Sequence, residues 1–353
     1  MRHLAALACA LALAACSNAA PPQAPGNTHF VVPPPPVARL AVNGTQIIDE
    51  HGKPIALRGF VWGWWGTVQP NDAADNARQG ATVVRIPLRW WGPYPPGMDS
   101  RSDNAPGHID PAHLAVLDGM IHQASAAHLW IDLFVDSDCG QASLQFDTAA
   151  NCGVAASRQP DNFGNDPTML REFEELWAFL AARYKATPYV GMYEPLPEPG
   201  EASLGLNAPA FYSALIPLIR AADPATPILI GPQPDYRMDK IANAWLSTPG
   251  LIYTGDMLDG FDLSKLAYAT TFARARNVPV FVQQVGTRFS DANANAATAA
   301  ELAALNASGI GWTWWTYREP NAGAYAPWTE PQKAHGAWVE NVPWMTLISG
   351  YFH

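Results

Sequence analysis

The stretch NVPVFVQQVGTR, residues 277–288, sets the reading of the whole chain. Its apolar run at 278–282 lacks the polar alternation of a half-exposed strand. That is the pattern of a strand covered on both faces, as in a parallel sheet flanked by helices. The run is followed by Gln284 just before a glycine, so the strand carries a polar side chain to a rim.

Working outward, similar short runs recur along the chain: IALRGFVW at 55–62, TVVRIPL at 82–88, LWIDLFV at 129–135, YVGMY at 189–193, PILIGP at 227–232, LIYTG at 251–255 and IGWTWW at 310–315. Between them lie helical patterns at 111–128, 167–185, 208–222, 263–276 and 295–309. Eight strands, each followed by a helix or a longer loop, predict an α/β fold of the (β/α)8 TIM-barrel type in a single domain. A doubly wound sheet is the competing arrangement, but no Gly-rich phosphate turn opens a helix. In a barrel the chemistry sits at the C-terminal ends of the strands, so the residues just beyond each run are the ones to read.

Composition narrows the function class. The net charge is -10 and no Lys/Arg cluster is present, which argues against nucleic acid. Fourteen tryptophans among 353 residues exceed what packing alone suggests, and exposed Trp and Tyr stack on flat apolar faces, sugar rings included. The nine histidines lack metal-ligand spacing, so no metal is expected, and nothing in the sequence asks for a cofactor.

The first sixteen residues, with one Arg, an apolar stretch and then small residues, read as a secretory signal too short to span a bilayer. Its end, LAAC, resembles a bacterial lipobox, which makes Cys16 the expected lipid anchor. Residues 17–38 are Pro- and Ala-rich and read as an extended tether to the body at 39–353. The expected product is a monomer held by lipid to a membrane of the bacterial cell envelope, facing the periplasm or the exterior. Cys139 and Cys152 are then the remaining thiols in an oxidising compartment. A disulfide between them would contribute up to about 3 kcal/mol, and two free buried thiols are the alternative.

Chemistry-bearing residues gather at the strand ends. They are Arg85 after the second, Asp136 and Asp138 after the third, and Glu194, Glu198 and Glu201 in a proline-stiffened turn after the fourth. Asp256 follows the sixth and Gln284 the seventh, with Trp312, Trp314, Trp315 and Glu319 at the eighth. A simply solvated side chain is the competing reading of Glu194, and a turn cap that of Asp256, which lies between TGD and LDG turn signals. Carboxylates and tryptophans on one rim suit glycoside chemistry: one carboxyl protonates the leaving oxygen, a second attacks or activates water, and aromatic faces hold the sugars. The expected partner is a poly- or oligosaccharide.

Four motifs in order sharpen this: GKPIALRGFVWGWWG, GATVVRIPLRW, YEPLPEP and VPVFVQQVG, with GIGWTWW closing the series. Over most of residues 40–345 the body resembles glycoside hydrolase family 5, the cellulase-like retaining hydrolases. The resemblance implies that Glu198 is the acid/base, that Arg85 orients the nucleophile, that Gln284 stands where the nucleophilic glutamate belongs, and that Trp314 is the sugar platform. Trp312, Trp315, Glu194 and Asp256 complete the expected substrate-binding set.

The sequence departs from the family pattern in several places. Pro197 replaces an asparagine that hydrogen-bonds the sugar, the third strand lacks a histidine, Asp256 stands in place of another, and Leu258 lies near the position of a tyrosine. An amide at 284 cannot readily form the covalent glycosyl intermediate. Three readings follow. In the first, an enzyme draws its second group from Asp256, Glu194, Glu319 or an N-acetylated substrate. In the second, a catalytically inactive pseudoenzyme binds a glycan without cutting it. In the third, the chain is a structural envelope lipoprotein with a vestigial cleft.

Overall fold

The computed structural model describes residues 37–63, 67–90, 100–136, 167–199, 207–234, 236–258, 262–320, 325–330 and 338–353. The expectations for the leader and tether, Cys16, the Cys139–Cys152 pair, Asp138 and Glu201 lie outside the described residues. Among the described residues no helix is long and apolar enough to cross a membrane.

A small hairpin comes first, β1 (Ala41–Asn43) against β2 (Gln46–Ile48). Eight parallel strands then close on themselves: β3 (Arg58–Val61), β4 (Val83–Arg89), β5 (Trp130–Asp136), β6 (Val190–Glu194), β7 (Ile228–Ile230), β8 (Leu251–Leu258), β9 (Val280–Gly286) and β10 (Gly311–Trp314), with β10 pairing back onto β3. Each contains or overlaps one of the eight runs read from the sequence, and the fold is the expected single (β/α)8 barrel. Strands β4 and β9 are buried at every position, as strands between a filled barrel interior and a helical jacket must be.

Among the described residues the jacket comprises α1 (Asp72–Arg78), α2 (Pro111–Ala126), α3 (Pro167–Tyr184), α4 (Ala208–Ala222), α5 (Leu263–Arg276), α6 (Ala294–Ser308) and α7 (Val342–Ser349). Local chemistry sets their ends. Asp110, Asn207, Asp262 and Asn341 accept backbone N–H groups at the starts of α2, α4, α5 and α7. Asn277 and Gly309 end α5 and α6 in the left-handed region. The longest predicted helices match these ranges to within two residues.

The barrel interior divides into an apolar floor and a polar upper part. Val83, Trp130, Met192, Leu229, Ile252 and Phe281 form the floor, and Leu40 and Ile47 of the hairpin region pack into the same cluster. Two residues further along β4 and β5, on the same faces by strand alternation, stand Arg85 and Asp132, which are register partners. The described tryptophans are mostly packing residues: Trp62, Trp90, Trp130, Trp177, Trp312, Trp314 and Trp344 are all buried.

Strand β9 breaks its own alternation at the decisive place. Gly255 of β8 pairs with Val282 and Asp256 with Gln284, so Gln283 has no partner, and β10 shows the same irregularity between Trp312 and Trp314. This is a β-bulge, which re-aims side chains. Phe281 belongs to the barrel floor while Val282 and Val285 pack in the outer core, and both intervening glutamines bond to residues of the interior.

Past β10 the chain forms a three-stranded sheet of β11 (Arg318–Pro320), β12 (Trp328–Glu330) and β13 (Val339–Glu340). Arg318 ties this sheet to α1 through a buried two-point ion pair with Asp72, Nε to Oδ2 at 2.8 Å and Nη2 to Oδ1 at 2.6 Å. Its guanidinium also lies 4.7 Å from the Trp328 ring centroid and 5.1 Å from that of Trp338.

Candidate active site

Glu198 follows β6 in the turn that the prolines stiffen. It is half-buried, and its backbone takes φ +47°, a conformation that L-residues rarely adopt. Holding it there costs about 1–3 kcal/mol, and such strain gathers at functional sites. Its carboxylate faces two strands at once. The Gln284 amide, from β9, donates to Glu198 Oε1 at 2.5 Å. The Asp256 carboxyl, from β8, lies within hydrogen-bonding reach of Glu198. Asp256 and Gln284 are Cα register partners, so the two side chains flank Glu198 at one level of the barrel.

Asp256 is the last inward residue of β8 before Leu258 and sits inside the strand, not in a turn cap. Gln283 donates its amide N–H to Asp256 Oδ1. Burial and then the adjacent Glu198 carboxylate push the Asp256 carboxyl well above the ordinary aspartate range, against the pull of Arg85.

Beneath this level lies a second layer. Arg85 is fully buried, with its Nε 2.5 Å from Glu194 Oε2 and 3.6 Å from Asp132 Oδ2, and its guanidinium lies 3.6 Å from the Phe134 ring centroid. Neither Nη1 nor Nη2 has a hydrogen-bond partner among the described residues. Burial pulls the arginine down but the surrounding carboxylates outweigh it, holding its pKa above the ordinary value. Burial raises both Asp132 and Glu194; the Glu194 carboxylate adds to the rise at Asp132, while Arg85 opposes the rise at Glu194. One guanidinium among several carboxyl groups therefore disfavours ionising all of them together.

Two expectations need correction. Glu194 is neither solvated nor placed to touch a sugar; it is fully buried as the ion-pair partner of Arg85. Trp312 and Trp314 are not platforms either, because both are fully buried, their indole N–H groups donating to Asn306 Oδ1 and to the Tyr325 carbonyl. Arg85, expected to orient the residue at 284, gives its Nε bond to Glu194.

Among the described residues Trp315 is an aromatic at the rim. It is partly exposed, and its ring lies so close to Gly63, just past β3, that a Cβ there would sit 2.8 Å from the indole. Gly286, two residues after Gln284, is hemmed by the Trp315 carbonyl, Leu258 and Tyr325, the last with its ring 3.2 Å from where a Cβ would be. Tyr325 is fixed by Arg288 at its hydroxyl and by Glu319, which accepts from the Tyr325 and Ala326 N–H groups. Glu319 is thereby occupied in holding a loop.

Sequence reasoning missed Asp132, Tyr236 and Gln283. Alternation from Trp130 placed Asp132 on the inner face, so a signal for it existed. Tyr236, fully buried after β7, donates to the Leu196 carbonyl at 2.5 Å and packs so tightly over Gly231 that a Cβ there would clash. It has no recognisable sequence signature. Among the described residues no group of His, Cys, Asp or Glu is arranged to hold a metal ion.

The family model described as Cellulase (glycosyl hydrolase family 5) matches residues 48–321. The chain belongs to glycosyl hydrolase family 5. Solved structures of similar fold include a Thermobifida fusca endoglucanase catalytic domain, a Glu→Gln variant in complex with cellotetraose, at 20% identity, covering 88% of this chain and 96% of that one with a TM-score of 0.63. A Pseudomonas stutzeri endoglucanase is 15% identical, covering 84% of this chain and 94% of that one with a TM-score of 0.64. A Saccharophagus degradans β-glucanase in complex with cellotetraose is 17% identical, covering 80% and 85% with a TM-score of 0.58. None of the curated protein sequences matches. Membership of family 5 supports a glycoside hydrolase.

Proposed function

We propose that this protein hydrolyses O-glycosidic bonds of a β-linked polysaccharide or oligosaccharide at the C-terminal mouth of its barrel, with Glu198 as the proton donor. The observation that carries this is the placement of Glu198: a half-buried carboxyl on a strained turn, held between Gln284 and Asp256. A general acid must be near its proton acceptor and able to hold a proton at working pH, and an acidic neighbour at contact distance favours a shared proton. The endoglucanase and β-glucanase neighbours support β-glucans as the first substrates to try. Trp315 offers the flat apolar face on which a sugar ring stacks.

A second reading rests on the amide at Gln284: a glycan-binding protein that has lost catalysis. Product release from β-glucans, mannans, xylan, chitin and peptidoglycan separates the two. Turnover that Glu198→Gln abolishes supports the enzyme. Saturable binding without product, together with turnover gained in Gln284→Glu, supports the binding protein. The lipobox-like leader supports a lipid-anchored monomer of the cell envelope, which labelling with a radioactive fatty acid tests, since Cys16→Ser must abolish incorporation.

A further inference from the structure

Loss of a carboxylate on β9 coincides with the presence of one on β8 at the same register, Asp256 opposite Gln284. From this juxtaposition we propose that Asp256 is the second catalytic carboxylate, the nucleophile of a retaining double displacement in which Glu198 is the acid and base. The inference rests on the hydrolase reading above and names the residue that completes it.

The other carboxyl groups are excluded by what they touch. Glu194 is fully buried against Arg85, Asp132 is fully buried below it, and Glu319 holds the backbone of Tyr325 and Ala326. Asp256 is the remaining described carboxyl that reaches Glu198, and it is partly exposed. It is also oriented: the Gln283 amide, turned inward by the β9 bulge, donates to Oδ1. The bulge thus gives both glutamines work at the site, Gln283 on Asp256 and Gln284 on Glu198.

The step balances. The two touching carboxyls share one proton, and with that proton on Glu198 a carboxylate oxygen of Asp256 forms a bond to the anomeric carbon as the bond from that carbon to the leaving oxygen breaks, and Glu198 gives that oxygen the proton. Water then attacks the same carbon from the face the leaving group vacated. Glu198 takes the water's proton, and the ester bond to Asp256 breaks, returning its electron pair to the carboxylate. Glycoside plus water becomes two alcohols with retained configuration, and the acid/base pair ends with the proton it began with. The direct contact between the two carboxyls gives way to a separation of about 5 Å when the sugar lies between them. Rotation of the half-exposed Glu198 side chain supplies that change.

The test uses the dinitrophenyl β-glycoside of cellobiose fluorinated beside the anomeric carbon, which slows breakdown of a glycosyl ester. After incubation with the intact protein, peptide mass spectrometry must find the fluoro-sugar on Asp256, and NMR of an unfluorinated digest must show the β-anomer first. Asp256→Asn must lower kcat by roughly 10³-fold or more while circular dichroism stays native. Asp256→Gly with azide must regain turnover and yield the glycosyl azide of inverted configuration. A label on another residue, the α-anomer as first product, or an Asp256→Asn variant with near-native kcat overturns the proposal and leaves the hydrolase reading standing. Absence of turnover on every glycan of the panel overturns both.

Discussion

Glu301 offers a stability experiment whose size follows from its surroundings. It lies on α6, is fully buried, and neither carboxylate oxygen has a hydrogen-bond partner among the described residues. Thr298, one turn earlier, is equally buried with an unpartnered hydroxyl. Burial pushes the Glu301 carboxyl from 4.5 up to about 8, with only Lys265 of α5 pulling the other way. An acid whose folded-state pKa is raised costs nothing while both states are protonated, below about pH 4.5. Stability is then lost as pH rises from 4.5 to 8, because the unfolded chain ionises and the folded one does not. At about 1.36 kcal/mol per unit, the loss is about 3 kcal/mol at pH 7 and about 5 kcal/mol above pH 8. Glu301→Gln removes the ionisation and keeps the shape. Urea unfolding of both proteins at pH 5, 7 and 9 must show the variant gaining stability relative to the wild type in that order, by several kcal/mol at pH 9. A difference that is flat with pH refutes the reasoning, since an uncharged packing effect has no proton linkage.

Trp315→Ala weakens glycan binding by up to about tenfold with little change in Tm, whereas Trp314→Ala costs about 3–5 kcal/mol of stability; binding isotherms and thermal melts read the two apart. Breaking the buried Asp72 pair with Arg318→Met leaves an uncompensated carboxyl and costs about 3–5 kcal/mol by denaturant titration, with Asp72→Asn,Arg318→Met recovering part of it. Gln284→Glu adds a third carboxyl beside Glu198 and Asp256, so the pH profile of hydrolysis moves to higher pH and kcat at neutral pH does not rise; a gain in kcat at unchanged optimum contradicts the role given to Asp256.

The fold was legible because a barrel repeats one sentence eight times: a short apolar run, a turn, an amphipathic helix. Each of the eight runs coincides with a barrel strand, and the prolines and capping residues at 110, 207 and 262 mark helix starts by local chemistry alone. The site was legible in outline, since strand ends pointed to Glu198, Asp256 and Gln284. Which tryptophan reaches the rim was misjudged, although the pattern held the answer: Trp312 and Trp314 are two residues apart and share the outer face, while Thr313 between them bonds inward to the Gln283 carbonyl. Depth was not legible at all. Glu194 and Glu198 are four residues apart, yet one ends β6 as an interior ion-pair partner and the other is a half-buried acid in the turn beyond, a difference made by tertiary contacts with Arg85 and Gln284.

The bulge in β9 explains why the departures at 256 and 284 belong together. In a strictly alternating strand only one of Gln283 and Gln284 could face the interior; here both do, and they hold two carboxyls that lie against each other. A third carboxylate at 284 would join Glu198 and Asp256 above Asp132 and Glu194, among which Arg85 is paired with Glu194. Like charges that close cannot all ionise, so one would be held neutral and lost to catalysis. An amide at 284 removes that repulsion and donates a hydrogen bond to Glu198 instead. Glutamine at 284 and aspartate at 256 are therefore one electrostatic arrangement, and exchanging either alone disturbs it more than exchanging both: Asp256→His,Gln284→Glu, which returns the carboxylate to β9, must recover more activity than either single change, and a double variant no better than the weaker single one would show that the two positions act independently.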